Sequence, residues 1–166
     1  MASQHRGFTL VELMVTIAVA AILLSVGVPS LKSLYDGYRG RSEISRIEQS
    51  LAFARNQAIS YGMTVFVCAY EKTDADGYGV CGTDWQKGLL VYAVDSTTKN
   101  KILKVVEGFN SSDKVKGSTV SFRADGISSG ETTFIYCPNG KTDESRSVKV
   151  SSAGMIKYAA DGLGCS

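Results

Sequence analysis

Glu12 is a carboxylate set in an apolar run, and its placement asks for an explanation first. From Phe8 to Val28 no other side chain carries a charge. That run is roughly the 20 residues a helix needs to cross a bilayer core. An ion at the centre of such a segment costs about 2.5–3.5 kcal/mol on insertion scales, and less near one end, where Glu12 stands. Glycine at position 7 is the second candidate. A secretory signal peptide is cut at small residues after its apolar run. Here the small residue, Gly7, comes before the run, so a cut between Gly7 and Phe8 leaves the apolar helix on the mature chain.

Four cysteines form the next group: Cys68, Cys81, Cys137 and Cys165. An even number beyond a membrane-targeting segment points to disulfides in an oxidising compartment. Three pairings are open. Cys68–Cys81 and Cys137–Cys165 each close a local loop and are the expected set. Each would stabilise by about 3–3.5 kcal/mol on a chain-entropy model. The chain has no C-x-x-C, and its single histidine, His5, precedes Gly7. No metal and no cofactor is expected.

Catalytic patterns mostly fail on the same residues. Gly126-Ile-Ser-Ser-Gly130 fits G-x-S-x-G, which in hydrolases exposes a nucleophilic serine. Such a serine needs a base, usually histidine, and none follows His5. A glycine-rich turn is expected there. Asp74 and Asp76 beside Gly77 hint at calcium, but the spacing does not match an EF-hand loop. No phosphate-binding glycine motif occurs. Catalytic residues are expected to be absent, and the chain is not expected to be an enzyme. The 18 basic and 16 acidic residues give a net charge of +2. They form no block of one sign, so composition does not call for nucleic acid.

The elements that position these residues follow from periodicity. Gly27 and Pro29 predict an interruption or kink near 26–29. Beyond it Ile44, Ile47, Leu51, Ala54 and Ala58 recur at helical spacing, one apolar stripe that should pack on a sheet of its own domain. The helix should end near 60–62. After Gly62 the pattern becomes strand-like, with strands expected over 64–70, 88–94, 101–106, 119–123, 132–137, 147–150 and 155–158. Asp74 to Gly79 reads as a turn. One long helix followed by short strands predicts an α+β fold.

Gly7-Phe-Thr-Leu-Val-Glu-Leu13 resembles the leader of type IV pilins and of type II secretion pseudopilins. The soluble part is similar to the GspH/FimT (FimU-like) group of that family. The residues that carry this are 50–58 on the helix, Asp84-Trp-Gln-Lys-Gly-Leu-Leu-Val-Tyr92, Ser121-Phe-Arg-Ala-Asp-Gly126 and Thr133-Phe-Ile-Tyr-Cys137. The resemblance implies the type IV pilin fold. It would comprise a leader over 1–7, a transmembrane and assembly helix over 8–28, an amphipathic half over 29–62, and a β-rich head over 63–166.

By the same resemblance, a prepilin peptidase would cut after Gly7 and Phe8 would be N-methylated. Glu12 would meet the amino terminus of a neighbouring subunit during assembly. Arg6 on the leader side favours a cytoplasmic leader, hence an inner-membrane protein with a periplasmic head, passing later to the pilus, its tip and the cell surface. The implied partners are other minor and major pilins and the inner-membrane assembly platform. The implied role is a minor pilin that primes or caps the pilus. The alternatives are a minor pseudopilin of type II secretion and a DNA-binding pilin. Some members bind DNA through a Gly-Arg-x-Arg loop, but here the positions read Gly154-Met-Ile-Lys157. Lys157, Lys149 and Arg146 are the remaining basic candidates, opposed by Asp143 and Glu144.

Overall fold

The computed structural model describes residues 8–94 and 100–165. They divide at Tyr35/Asp36 into two compact units. One helix, α1, runs Leu10–Tyr61. Thr9 caps its start: Glu12 N donates to Thr9 Oγ1 at 3.2 Å, which satisfies one of the orphan donors of the first turn. At the other end Gly62 takes φ +62° and Met63 N reaches back to Ala58 O at 3.2 Å, a left-handed stop.

The backbone stays helical through Gly27 and Pro29, so the expected interruption does not occur. An internal proline removes one N–H bond, and a helix of 52 residues retains the others. A Cβ on Gly27 or Gly37 would have nothing within 4 Å. These glycines therefore mark no close approach.

Among the described residues nine strands follow: β1 Val65–Thr73, β2 Gly79–Gly82, β3 Leu89–Val94, β4 Asn100–Val106, β5 Lys114–Lys116, β6 Val120–Phe122, β7 Thr132–Cys137, β8 Arg146–Val150 and β9 Ile156–Tyr158. They form two antiparallel sheets. One has the order β2-β1-β3-β4 with β6 also on β1; the other runs β5-β7-β8-β9. β2 and β5 were not expected. Gly-Val-Cys-Gly and Lys-Val-Lys each offer one or two apolar positions, too few to show a period of two.

The stripe Ile44, Ile47, Leu51, Ala54, Ala58 is buried, in one core with Val65, Val67 and Ala69 of β1 and Phe134, Tyr136, Val148 and Val150 of β7 and β8. Each large aliphatic side chain removed from water stabilises by about 1.5–3 kcal/mol. Trp85 meets Phe134 edge to face at 5.2 Å. The opposite face of β1 and β3 holds a smaller cluster of Cys68, Leu90 and Tyr92. Cys68–Cys81 and Cys137–Cys165 are the two disulfides. The first ties β1 to β2. Through the second, the tail is held to the end of β7. Ser147 Oγ also donates to Ala160 O at 2.6 Å, and Ala159 N donates to Ser147 O at 3.0 Å.

A polar cluster interrupts this apolar packing within the Asp36–Ser166 unit. Asp113 is fully buried and Asp36 nearly so. Arg39 donates to Asp113 Oδ1 at 2.9 Å and lies 3.3 Å from Asp36 Oδ1. Asn139 N donates to Asp113 Oδ1 at 2.8 Å, and Asn139 Nδ2 donates to Asp36 Oδ2 at 2.7 Å. The Tyr136 hydroxyl donates to Asp113 Oδ2. Burial first, then that hydrogen bond, push the Tyr136 phenol well above its usual range. One guanidinium thus holds two buried carboxylates. Removing it takes the ion pair from buried Asp113 and leaves Asp36 only Lys141, at 4.0 Å, which costs about 3–5 kcal/mol. Arg39→Met should lower head stability by that amount, read by urea unfolding with Trp85 fluorescence. A loss under about 1 kcal/mol would show that the cluster contributes little.

Two turns meet just as closely. Gly154 sits at φ +77°, and a Cβ there would lie 1.9 Å from Gly126 O. Arg55 Nε donates to the same carbonyl at 3.0 Å. Gly162 has a similar φ, +80°, with nothing within 4 Å. Gly162→Ala should therefore cost only the left-handed strain, about 1–2 kcal/mol. Gly154→Ala adds a backbone clash and should cost clearly more in the same unfolding assay. Equal losses would refute the close approach.

Candidate functional site

The described part of the amino-terminal segment is one helix whose side chains face outward. Every described side chain from Phe8 to Tyr35 is exposed. The helix is long and apolar enough to cross a membrane by length and composition. Two of its hydroxyls are satisfied locally: Thr16 Oγ1 donates to Leu13 O at 2.8 Å and Ser25 Oγ to Ile22 O at 2.7 Å. Such bonds let polar side chains enter an apolar medium without an unpaired donor.

Glu12 occupies the third position of α1, three residues after the cap Thr9. That T-x-x-E spacing is a capping signature, readable in the sequence but not read there. A carboxylate in the first turn stands at the positive end of the helix dipole. Thr9 is therefore part of the site as well: its hydroxyl starts the helix so that Glu12 lies on the first turn. Phe8, two residues before the helix, is exposed. Gly7 lies outside the described residues.

The serine of the G-x-S-x-G pattern is engaged by main chain. Ser128 is buried, with Oγ 2.8 Å from Gly130 O and 2.7 Å from Ser151 O. Its one proton is directed at backbone carbonyls, so the hydroxyl helps hold two turns together. Asp74 Oδ1 accepts from Asp76 N at 3.1 Å and Tyr78 N at 2.8 Å. That carboxylate closes the β1–β2 turn. Among the described residues no group of three His, Cys, Asp or Glu side chains is placed to hold a metal.

The basic candidates are only partly brought together. Lys149 and Lys157 are cross-strand partners on β8 and β9. Lys149 Nζ meets Glu131 at 2.6 Å, and Arg146 Nη1 meets Asp161 at 3.4 Å. Lys157 is exposed. Two of three cations are thus matched by a carboxylate, which weakens any phosphate-binding cluster.

Residues 43–154 match the family model described as type II transport protein GspH, and residues 2–28 match the prokaryotic N-terminal methylation motif. A fimbrial protein of Moraxella nonliquefaciens is 30% identical over 126 residues, 73% of this chain and 79% of that one. The type IV major fimbrial protein FimA of Dichelobacter nodosus is 29% identical over 100 residues, 60% of this chain and 54% of that one. The type IV minor pilin FimU of Pseudomonas aeruginosa superposes with a TM-score of 0.61 at 26% identity, covering 76% of this chain and 95% of that one. The minor pseudopilin EpsH of Vibrio cholerae shares the fold, with a TM-score of 0.55 at 12% identity over 74% of this chain and 97% of that one. With its apolar amino-terminal helix, methylation motif and two-sheet head, this chain belongs to the GspH family of type IV pilins and pseudopilins.

Proposed function

We propose that the chain is a minor type IV pilin that primes or caps pilus assembly. The observation that carries this reading is the charge arrangement on α1. Glu12 is the one charged side chain from Phe8 to Val28, and it stands on the first turn of α1. A cut between Gly7 and Phe8 by a prepilin peptidase would create an ammonium at Phe8, and N-methylation there would keep it basic. In a filament core of apolar helices, that ammonium of one subunit and Glu12 of the next would neutralise each other. The likeness to FimU supports the minor role. In this reading the helix first anchors the subunit in the inner membrane with its head in the periplasm. Subsequently it contacts the assembly platform and other pilins and ends near the pilus tip. A minor pseudopilin of type II secretion is the second reading, favoured by the description of the matching family. DNA recognition through Lys157 is disfavoured by the carboxylates beside Lys149 and Arg146.

Glu12→Ala should leave insertion and cleavage intact and reduce the amount of the protein in sheared pili at least tenfold. Equal incorporation would refute the pairing. Deletion of the gene separates the readings: loss of piliation or twitching supports the pilin, whereas loss of protein secretion with normal pili supports the pseudopilin.

The tail gives a further prediction. Cys165→Ser should speed hydrogen exchange in residues 140–165 and leave the helix stripe and the Cys68–Cys81 hairpin protected. An even fall in protection across the head would show that the bridge stabilises the whole fold. Weaker binding to a partner pilin should accompany the local loosening, since the tail covers part of β8.

A further inference from the structure

Beside β4 a groove opens along the edge of the first sheet. It is lined by Gln57, Tyr61, Met63, Ala93, Lys101 and Leu103 and measures about 240 Å³. β4 ends the order β2-β1-β3-β4. With 7 residues it is a long edge, against 3 each for the edges β5 and β9. The outer side of β6 is already occupied: Ser121 N donates to Ser129 Oγ at 3.1 Å, and Ser129 N donates to Ser121 O at 2.8 Å. An edge strand turns alternate N–H and C=O groups outward, ready to pair with another chain.

The lysines of β4 decide what could pair. Lys101 is opposite Ala93 and Lys104 opposite Val91, with an irregularity in register between Val91 and Tyr92. Leu103 is the extra residue, and such a bulge brings Lys101 and Lys104 onto the same face. Val91 belongs to the core, so that face is the one toward the helix. Lys104 Nζ lies 5.5 Å above the Phe53 ring. No salt bridge to a described residue is recorded for either lysine. A second copy of β4 laid on this edge would set lysine against lysine.

We propose that β4 accepts an extended, carboxylate-bearing segment of a neighbouring subunit as an additional strand. Main-chain hydrogen bonds along the strand supply the pairing. Carboxylates two residues apart on the incoming segment face Lys101 and Lys104. An apolar side chain two residues beyond them, on the same face of the incoming strand, enters the groove between Tyr61, Met63 and Leu103. Backbone bonds give such strand addition its affinity, and the alternating side chains give it its selectivity. The source of the segment rests on the assembly reading above. The groove and its chemistry do not.

The test uses the full chain in phosphatidylcholine nanodiscs and a fluorescein-labelled ten-residue peptide in which Thr alternates with Glu, Glu, Val, Glu and Glu in turn. Two controls carry Lys in place of Glu, or the same side chains with alternate amides N-methylated. Saturable anisotropy is expected, together with slowed hydrogen exchange across Asn100–Val106. Both controls, and the Lys101→Glu/Lys104→Glu variant, should bind at least tenfold more weakly. Trp85 fluorescence checks that the variant is folded, and the N-methylated peptide tests pairing without any variant. No protection in β4 overturns the proposal. So does equal binding of the N-methylated peptide, which would show charge attraction alone. A single-stranded oligonucleotide that protects β4 and displaces the peptide would overturn it in favour of a nucleic-acid surface. Because the peptide assay needs no filament, failure there leaves the Glu12 result to judge assembly separately.

Discussion

Burial of one row of helix side chains, Ile44, Ile47, Leu51, Ala54 and Ala58, is the contact on which the head depends. Both sheets place side chains into the same core as that row. Small residues at 54 and 58 and larger ones at 44, 47 and 51 are buried in one core with β1 and with Phe122, Phe134 and Tyr136. The strands alone are short, and three of the nine have only three residues. Such strands bury too little to persist by themselves. The helix is what makes two small sheets into one core.

The same helix meets a different requirement in its first half. From Phe8 to Tyr35 its described side chains are exposed, and most are apolar. Such a surface is stable only in lipid or against other apolar helices. One element therefore carries an all-round apolar segment and, further along, a one-sided stripe. Asp36 and Arg39 mark where polar packing begins. Their cluster with Asp113, Tyr136 and Asn139 ties the start of the buried stretch to β7 and to the turn before β5. Its hydrogen bonds have fixed directions, so the cluster specifies a geometry that apolar contacts do not.

Much of this was legible in the sequence because it is local. The stripe has helical spacing, β7 is an unbroken run of β-branched and aromatic residues closed by Cys137, and the stop at Gly62 is a glycine at the end of a periodic run. The capping pair Thr9 and Glu12 is equally local, though the carboxylate was first read for assembly alone. What was not legible depends on distance along the chain. Arg39 and Asp113 are 74 residues apart, and Asp36 and Asn139 are 103 apart. Nothing in the type of either residue announces its partner. Gly154 is similar: its need for no side chain comes from Gly126 O, a backbone atom of another turn. Pro29 does not end the helix, because one missing bond is a small part of a 52-residue element.

Retention of the apolar helix on the mature protein, with a new charge at its start, is the central claim. Intact-mass and amino-terminal analysis of the protein from pilus and membrane fractions tests it directly. A mature chain beginning at methylated Phe8, with both disulfides intact, is the expected result. Assembled protein that still carries residues 1–7, or one cut after the apolar run, would contradict it.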